Sequence, residues 1–386
     1  MKSHAPSLLE MIRALIAIPS MSSVSPAFDC SNRAVIDLLA GWLEAEEFRV
    51  EITSLPKQPS KANLIATLGE IKPDSAGLML SGHTDTVPYD EARWRFDPFK
   101  LTEANNRLYG LGTSDMKSFF ALAIEAARRF DPRDLKQPLV ILATADEESS
   151  MDGAQLIGEQ GLPFVRHAII GEPTNLRPVN AHKGIMMEAI SLIGCSGHSS
   201  DPSLGVNAIE AMHRVIGDII VWREDLQRRY HDGRFAVSVP TLNLGHIHGG
   251  DNPNRICGAC ELHFDLRPLP GMELDELRAI LRQRLGALFN GTEIGWKMFS
   301  LSTGTPPLHT RADSAIAQSC ETLTHHHCEA VPFCTEGPYL ANIGIEPIIL
   351  GPGDIAQAHQ PDEYLALDRL QPTLNILEGL IRRFCM

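Results

Sequence analysis

Eight side chains able to hold a cation or move a proton stand where apolar sequence turns abruptly polar. Leu78–Ser81 leads into Gly82-His83-Thr84-Asp85, and Leu139–Ala145 leads into Asp146-Glu147-Glu148. Ala168–Gly171 leads into Glu172-Pro173-Thr174, and Pro347–Gly351 leads into a loop that ends at His359. Asp115 follows Leu111-Gly112-Thr113 and stands just before an amphipathic stretch that begins at Met116. In open α/β sheets, sites form beyond the carboxyl ends of the strands, so these clusters are expected to converge at one sheet edge.

Convergence has an electrostatic cost. Three carboxylates in one cleft repel each other, and each loses several kcal/mol of hydration. Bound divalent cations remove that cost. Two such ions bring four positive charges. Asp115, Glu148 and Glu172 offset three of them, with neutral His83 and His359 completing the set; Glu147 or a hydroxide offsets the fourth. Five ligands serve two zinc-type sites if one carboxylate and one water bridge the ions. His83 and Asp85 are two residues apart, so on extended chain they point the same way, and Asp85 is expected to orient the His83 imidazole. Glu147 and Glu148 are neighbours and diverge, so one can bind metal while the other faces substrate as general base. Each residue also has an ordinary reading. Asp115 would serve as a helix N-cap, His83 as a strand-end histidine, Glu172 as a turn residue before Pro173, and Glu147 and Glu148 as a solvated loop.

The elements needed to position these residues are visible in the apolar pattern. Expected helices cover about 33–47, 116–130 and 153–159, and expected strands lie at 48–54, 63–68, 78–81, 139–145 and 167–171. Alternation with continuous apolar strands predicts an α/β domain with a mostly parallel sheet. From about residue 180 the order changes to strand 186–193, helix 205–221, strands 241–247 and 260–266, helix 274–289 and strand 292–300. This βαββαβ order is that of a ferredoxin-like unit. The expected division is therefore 1–179 and 302–386 for a catalytic domain, interrupted by 180–301. The returning chain supplies a helix at 314–327, a strand at 345–350 and a helix at 369–383.

Bulk properties narrow the function classes. The chain has 386 residues and a formal charge of −14, which argues against nucleic-acid binding and leaves a cationic small molecule as a plausible partner. Leu8, Leu9, Ile12, Leu15 and Ile16 follow helical spacing, and Glu10 and Arg13 interrupt the run, so the N-terminal stretch reads as an amphipathic helix rather than a signal peptide. No apolar run is long enough for a membrane span. The eight scattered cysteines suggest reduced thiols in the cytoplasm. Cys257 and Cys260 form a lone CxxC, read as small residues entering a strand, and His325–His327 as a solvated helix end.

The motifs Gly82-His83-Thr84-Asp85-Thr86-Val87-Pro88, Gly112-Thr113-Ser114-Asp115-Met116-Lys117, Asp146-Glu147-Glu148 and Gly171-Glu172-Pro173-Thr174 together resemble a known family. It is that of the co-catalytic metallohydrolases, which include acetylornithine deacetylase, succinyl-diaminopimelate desuccinylase, aminoacylase and carboxypeptidase G. The resemblance spans essentially the whole chain. It implies a catalytic domain holding two divalent metals, zinc first and cobalt or manganese as alternatives, interrupted by a lid domain through which a homodimer forms. It assigns one metal to His83, Asp115 and Glu172 and the other to Asp115, Glu148 and His359, with Asp115 bridging. Glu147 matches the general acid/base, and His198 matches a lid histidine that reaches the partner subunit's active site. Asn254 and Arg267 match positions used for substrate carboxylates, although Arg267 could equally pair with a nearby acid. Thr335 and Glu336 lie in a stretch resembling a substrate loop, where Glu336 would meet a cationic side chain. Ser118 departs from the family's usual glycine. Within the family, Ala181-His182-Lys183-Gly184, Pro240–Asp251, Glu261–Gly271 and Gly351–Tyr364 resemble the acetylornithine-cleaving branch most. The implied reaction converts N2-acetyl-L-ornithine to ornithine and acetate, a step of arginine biosynthesis. Alternatives are a broader N-acyl-amino-acid amidohydrolase, a desuccinylase or a dipeptidase, and, in a different class, a non-catalytic metal-stabilised binding protein.

Overall fold

The computed structural model describes residues 4–386; the first three residues of the expected catalytic domain lie outside the described residues. In chain order, α1 (Leu8–Ile16) and α2 (Arg33–Ala45) precede β1 (Arg49–Ser54), β2 (Ala62–Leu68) and β3 (Gly77–His83). Two short strands follow, β4 (Thr102–Ala104) and β5 (Arg107–Tyr109), then α3 (Ser118–Ala127), β6 (Leu139–Thr144), α4 (Asp152–Gln160), β7 (Val165–Ile170) and β8 (Val179–His182). Next come β9 (Met186–Ile193), α5 (Ala208–Arg229), β10 (Thr241–Gly249), β11 (Ala259–Arg267), α6 (Leu274–Phe289), β12 (Gly295–Ser300) and β13 (Leu308–His309). The chain closes with α7 (Ala315–Thr324), β14 (Glu329–Val331), α8 (Gly337–Asn342), β15 (Glu346–Ile349), β16 (Tyr364–Ala366) and α9 (Leu370–Phe384).

Two compact units result. The first comprises 4–180, 310–329 and 335–386 of the described chain, and the second 181–309 and 330–334. Residues 302–309, expected in the catalytic domain, thus group with the second unit, where Leu308 and His309 pair with His182 and Ala181.

In the first unit the sheet order is β1-β2-β6-β3-β7-β15-β8. The middle strands β6, β3, β7 and β15 are mutually parallel, and the pairs toward both flanks are antiparallel. The sheet is therefore mixed, parallel where the polar clusters emerge and antiparallel at its margins. Every residue of β3 and β6 is buried, which explains their unbroken apolar sequence: helices cover both faces. α1, α2, α3, α7 and α9 contribute to one continuous core over this sheet, while α4 and α8 pack against each other. Nine of the ten residues of α3 are buried, so it has no polar face to reveal its start. It begins at Ser118, with Lys117 in the N-cap position, so Asp115 does not cap it.

The second unit is the βαββαβ arrangement, with sheet order β10-β11-β9-β12 and all neighbours antiparallel. Along α5, Ala208, Ala211, Met212, Val215, Ile219, Trp222 and Leu226 recur every three or four residues and are buried, the stripe a helix needs to cover one sheet face. Asn207 caps it by accepting from the Ile209 and Glu210 N–H groups. β11 alternates buried and part-exposed residues throughout, so only one face of this sheet carries the helices. Cys260 lies in β11 and Cys257 just before it, both buried. No cysteine of the chain is in a disulfide. His325 is the left-handed C-cap of α7, and His326 and His327 follow it, exposed.

Candidate metal centre

The four parallel strands end side by side, and the loops leaving them bring His83, Glu147, Glu148, Glu172 and His359 together with Asp115. His83 is the last residue of β3 and is buried. Its Nδ1 lies 2.9 Å from the Asp85 carbonyl oxygen. A carbonyl only accepts, so Nδ1 carries the proton and Nε2 turns its lone pair into the cluster. There Nε2 is 3.1 Å from Asp115 Oδ1 and 3.6 Å from Glu172 Oε1. On the other side, His359 Nε2 is 3.0 Å from Glu148 Oε2 and 3.7 Å from Asp115 Oδ2. Asp115 therefore offers one carboxylate oxygen to each histidine.

Local chain geometry makes this approach feasible. Gly171, immediately before Glu172, lies against the Phe119 ring; a Cβ there would fall 2.1 Å from a ring atom. Gly112 has φ +87°, which admits the turn that presents the Asp115 loop. That loop is held from behind by Glu363. Its carboxylate accepts from the backbone N–H of Gly112 at 3.0 Å, Ser114 at 2.7 Å and Asp115 at 2.9 Å. Lys117, also buried, donates to the Ile18 carbonyl at 2.7 Å, and burial lowers its pKa to about 7.

Asp85 has a different job from the expected one. Its carboxylate is 3.8 Å from His83 Nδ1, whereas its backbone carbonyl makes the close contact. The carboxylate oxygens instead accept from the backbone N–H of Glu147 at 3.3 Å and Glu148 at 3.1 Å. Asp85 thus orients the imidazole through its main chain and the two glutamates through its side chain. The preceding Asp146 sits in a left-handed conformation, and its Oδ1 meets buried Lys61 Nζ at 2.5 Å and Ser22 Oγ at 2.9 Å.

Electrostatics show what this cluster lacks. Burial, followed by the charges of neighbouring carboxylates, raises the pKa values of Glu147 and Glu172 well above the ordinary carboxylate range. Burial also raises Asp85 to about 6 and Glu363 to about 8. His359 rises to about 8, chiefly through its hydrogen bond to Glu148. Burial works against protonation of His83, yet Glu172, Asp115 and Asp85 outweigh it and raise its pKa. Asp115 goes the other way: burial opposes it, but His83 and His359 hold its pKa low. The raised proton affinity of its neighbours reflects carboxylates packed together, a demand that bound cations would meet.

The donor set fits divalent cations. His83, Glu147 and Glu172 form one group whose ligand atoms lie within 4.8 Å of one another, and His83, Asp115 and Glu148 form another. Two donors bound at about 2 Å to one tetrahedral ion stand about 3.3 Å apart. The separations of 3.1, 3.6, 3.7 and 3.0 Å around Asp115 and the two histidines scatter about that value.

Other expected residues are placed elsewhere. His198, Asn254 and Arg267 belong to the second unit. His198 is exposed, with Nδ1 2.7 Å from Ser200 Oγ, and Arg267 pairs with Asp265 at 2.8 Å. Thr335 and Glu336 are in the first unit and buried. Glu336, expected to meet a cationic substrate group, has its carboxylate bonded to the hydroxyls of Ser81 and Thr144, near the ends of β3 and β6. Ser118 is buried as well, so its hydroxymethyl group is accommodated. Sequence reasoning missed the roles of Glu363 and Lys61. For Glu363 the available signal was an acid four residues beyond His359.

A model of peptidase family M20/M25/M40 matches residues 79–383. The chain is 49% identical over 385 residues to an acetylornithine deacetylase of Edwardsiella ictaluri, with all of both chains covered. It is 47% identical to an acetylornithine deacetylase of Pasteurella multocida, with 98% of each covered. Among solved structures, aminopeptidase PepT of Bacillus cereus matches with a TM-score of 0.74 at 17% identity, covering 98% of each chain. The Bacillus subtilis YXEP protein, a dinuclear metal-binding M20 peptidase, matches with a TM-score of 0.68 at 16% identity, covering 98% of this chain and 97% of that one. Among the described residues no helix is long and apolar enough to cross a membrane.

Proposed function

The chain belongs to peptidase family M20/M25/M40 and is a metal-dependent hydrolase, and from that premise we propose that it hydrolyses N2-acetyl-L-ornithine to L-ornithine and acetate. The observation that carries the reading is Asp115, whose two carboxylate oxygens face His83 and His359 separately. The extent of identity to acetylornithine deacetylases supports the choice of substrate.

His83, Asp115 and Glu172 would hold one divalent cation, and Asp115, Glu148 and His359 the other. Zinc suits the imidazole and carboxylate donors, and cobalt or manganese are the alternatives to test. Bound there, such ions neutralise the carboxylates, polarise an amide carbonyl and lower the pKa of water from ~15.7 to about 7. The protein supplies the rest. Glu147, half-buried and fixed at its backbone by Asp85, takes a proton from the attacking water and returns it to the departing amine nitrogen. Its raised proton affinity suits a group that must hold a proton between those two events. Asp85 keeps Glu147 and Glu148 in register, so one faces the substrate while the other binds metal.

The proposal extends to the second unit: two copies pair through it, His198 stabilises the developing oxyanion, and Asn254 and Arg267 meet the substrate carboxylate. Thr335 is assigned to the wall behind the substrate. The place of action is the cytoplasm, where an acetylated amino acid is an intermediate and the thiols stay reduced. Release of the free amine from N-acetylornithine, N-acetylmethionine, N-succinyl-diaminopimelate and dipeptides tests the reading, with zinc, cobalt or manganese, before and after chelation. N-acetylornithine should turn over fastest, with activity lost on chelation and restored by metal. Faster turnover of another substrate, or activity indifferent to chelation, would replace the reading.

A further inference from the structure

A second group of metal-ligating side chains lies in the βαββαβ unit, on the sheet face opposite its helices. β10 would ordinarily point Leu242, Leu244 and His246 to one side. The register shifts between Leu244 and His246, so Gly245 is an extra residue and His246 falls opposite His263. His248 then falls opposite Glu261. The two leucines pack toward the helical core, while His246 and His248 are exposed on the other face. On β11, Leu262 and Phe264 point into that core, which leaves Glu261 and His263 on the outer face. Four side chains of ligating type thus occupy adjacent outward positions on neighbouring strands.

Their contacts draw them together. His263 Nε2 is 2.8 Å from Glu261 Oε1. The His246 and His263 rings have centroids 4.8 Å apart, tilted by 41°. Asp265, the next outward residue after His263, has a buried Oδ1 with no hydrogen-bond partner, while its other oxygen pairs with Arg267. That Oδ1 is an open acceptor one outward position along the strand from His263. The nearest basic residue along β11 on this face, Arg267, is paired with Asp265, and Lys297 lies two strands away in the row of Glu261.

The geometry points to a transition-metal site formed by His246, Glu261 and His263 with His248 as the fourth donor, separate from the catalytic cluster. Three imidazoles and one carboxylate suit zinc, and also nickel or copper, rather than calcium or magnesium. Cross-strand partners stand about 5 Å apart at Cβ; unlike the catalytic groups, the ligand atoms here are not already gathered within 4.8 Å, and rotation about χ1 and χ2 is required to bring the ring nitrogens around one ion. The ion would tie the edge strand β10 to β11 beside the bulge, where the ladder is weakest.

The test is a zinc titration of metal-free full-length protein by calorimetry, with bound zinc counted after gel filtration. The comparison is wild type against His246→Ala/His263→Ala, and separately against Glu261→Gln. Wild type should bind one more zinc per chain than the double variant, and zinc should raise its melting temperature further. Glu261→Gln should bind that zinc at least tenfold more weakly, while acetate release by all three proteins stays within twofold. Equal zinc counts in wild type and double variant overturn the site. The difference between the proteins is read whatever number of ions the catalytic cluster holds, so failure here and failure of the two-metal reading are distinguishable. Should the double variant fold poorly by circular dichroism, the single Glu261→Gln and His248→Ala proteins decide it: unchanged zinc affinity in both refutes the site.

Discussion

The two sheets of this protein place polar groups by opposite rules. In the first unit, β3 and β6 are buried along their whole length, so functional side chains appear only where strands end. There they meet at low accessibility, and the pKa values of Glu147 and Glu172 are raised, first by burial and then by neighbouring carboxylates, Glu148 beside the one and Asp115 beside the other. In the second unit, β11 alternates between buried and part-exposed residues, and its polar groups lie along the strand with water at hand. Parallel strands with both faces covered concentrate charge at one rim and create a need for cations. An antiparallel sheet with one open face spreads its charge within reach of water, so an ion proposed at His246, Glu261 and His263 is held by ligand chemistry and not demanded by buried charge. The comparison teaches that the demand for metal is set by topology as much as by residue type.

That contrast can be broken at several points. The largest effect is expected at Glu147. Glu147→Gln keeps the shape but removes the proton acceptor, and turnover should fall by about 10²- to 10⁴-fold with metal content unchanged, as measured by acetate release and atomic absorption. Near-normal turnover would remove Glu147 from the chemistry. Glu363→Ala comes next. Three backbone N–H groups would lose a buried acceptor, so urea denaturation should show a loss of about 3 kcal/mol or more, with weaker metal retention under dialysis. A smaller effect is expected for Asp85→Asn, which keeps one acceptor oxygen but turns an amide toward the second backbone N–H. A fall of about 10-fold in kcat is expected, with little change in KM.

The smallest effect concerns pH. In metal-free protein the folded-state pKa values of Glu147 and Glu172 lie above their ordinary value of 4.5. Their contribution to stability is fully present below that value and is lost as pH rises through the raised folded values. Metal-free protein should therefore become less stable as pH climbs above about 4.5 through the raised folded values. Zinc-loaded protein should escape this decline, and zinc uptake near pH 7 should release protons, measurable by calorimetry in buffers of different ionisation enthalpy. Uptake with no proton release would contradict the protonated state of the empty cluster.

Much of this arrangement could be read from the chain because each of the four parallel strands ends in an apolar stretch that stops at a polar cluster, although β7 carries Arg166 and His167 and β15 opens with Glu346. His83, Glu148 and Glu172 needed no tertiary information to be singled out, and the βαββαβ order followed from element succession. The short strands β4, β5 and β16 were not legible, since three residues carry no periodicity. β16 pairs with β5 through residues such as Tyr364 and Tyr109, far apart in sequence. Glu363 was missed for the same reason: its partners at Gly112, Ser114 and Asp115 are about 250 residues away. Asp85 was placed beside His83, but its closer contact is through its main-chain carbonyl, and its hold on the Glu147 and Glu148 backbone was not legible. Residue spacing indicates which side chains share a direction, not whether a main-chain carbonyl will reach the imidazole first. Glu336 showed the converse limit, because an acid in a loop-like motif gives no sign that the fold will bury it against Ser81 and Thr144.

Anomalous diffraction at the zinc edge from crystals of zinc-loaded protein tests the central claim most directly. Two peaks should lie on either side of Asp115, one against His83 and Glu172, the other against Glu148 and His359. A single peak that does not touch Asp115, or no peak among these five residues, would contradict the account.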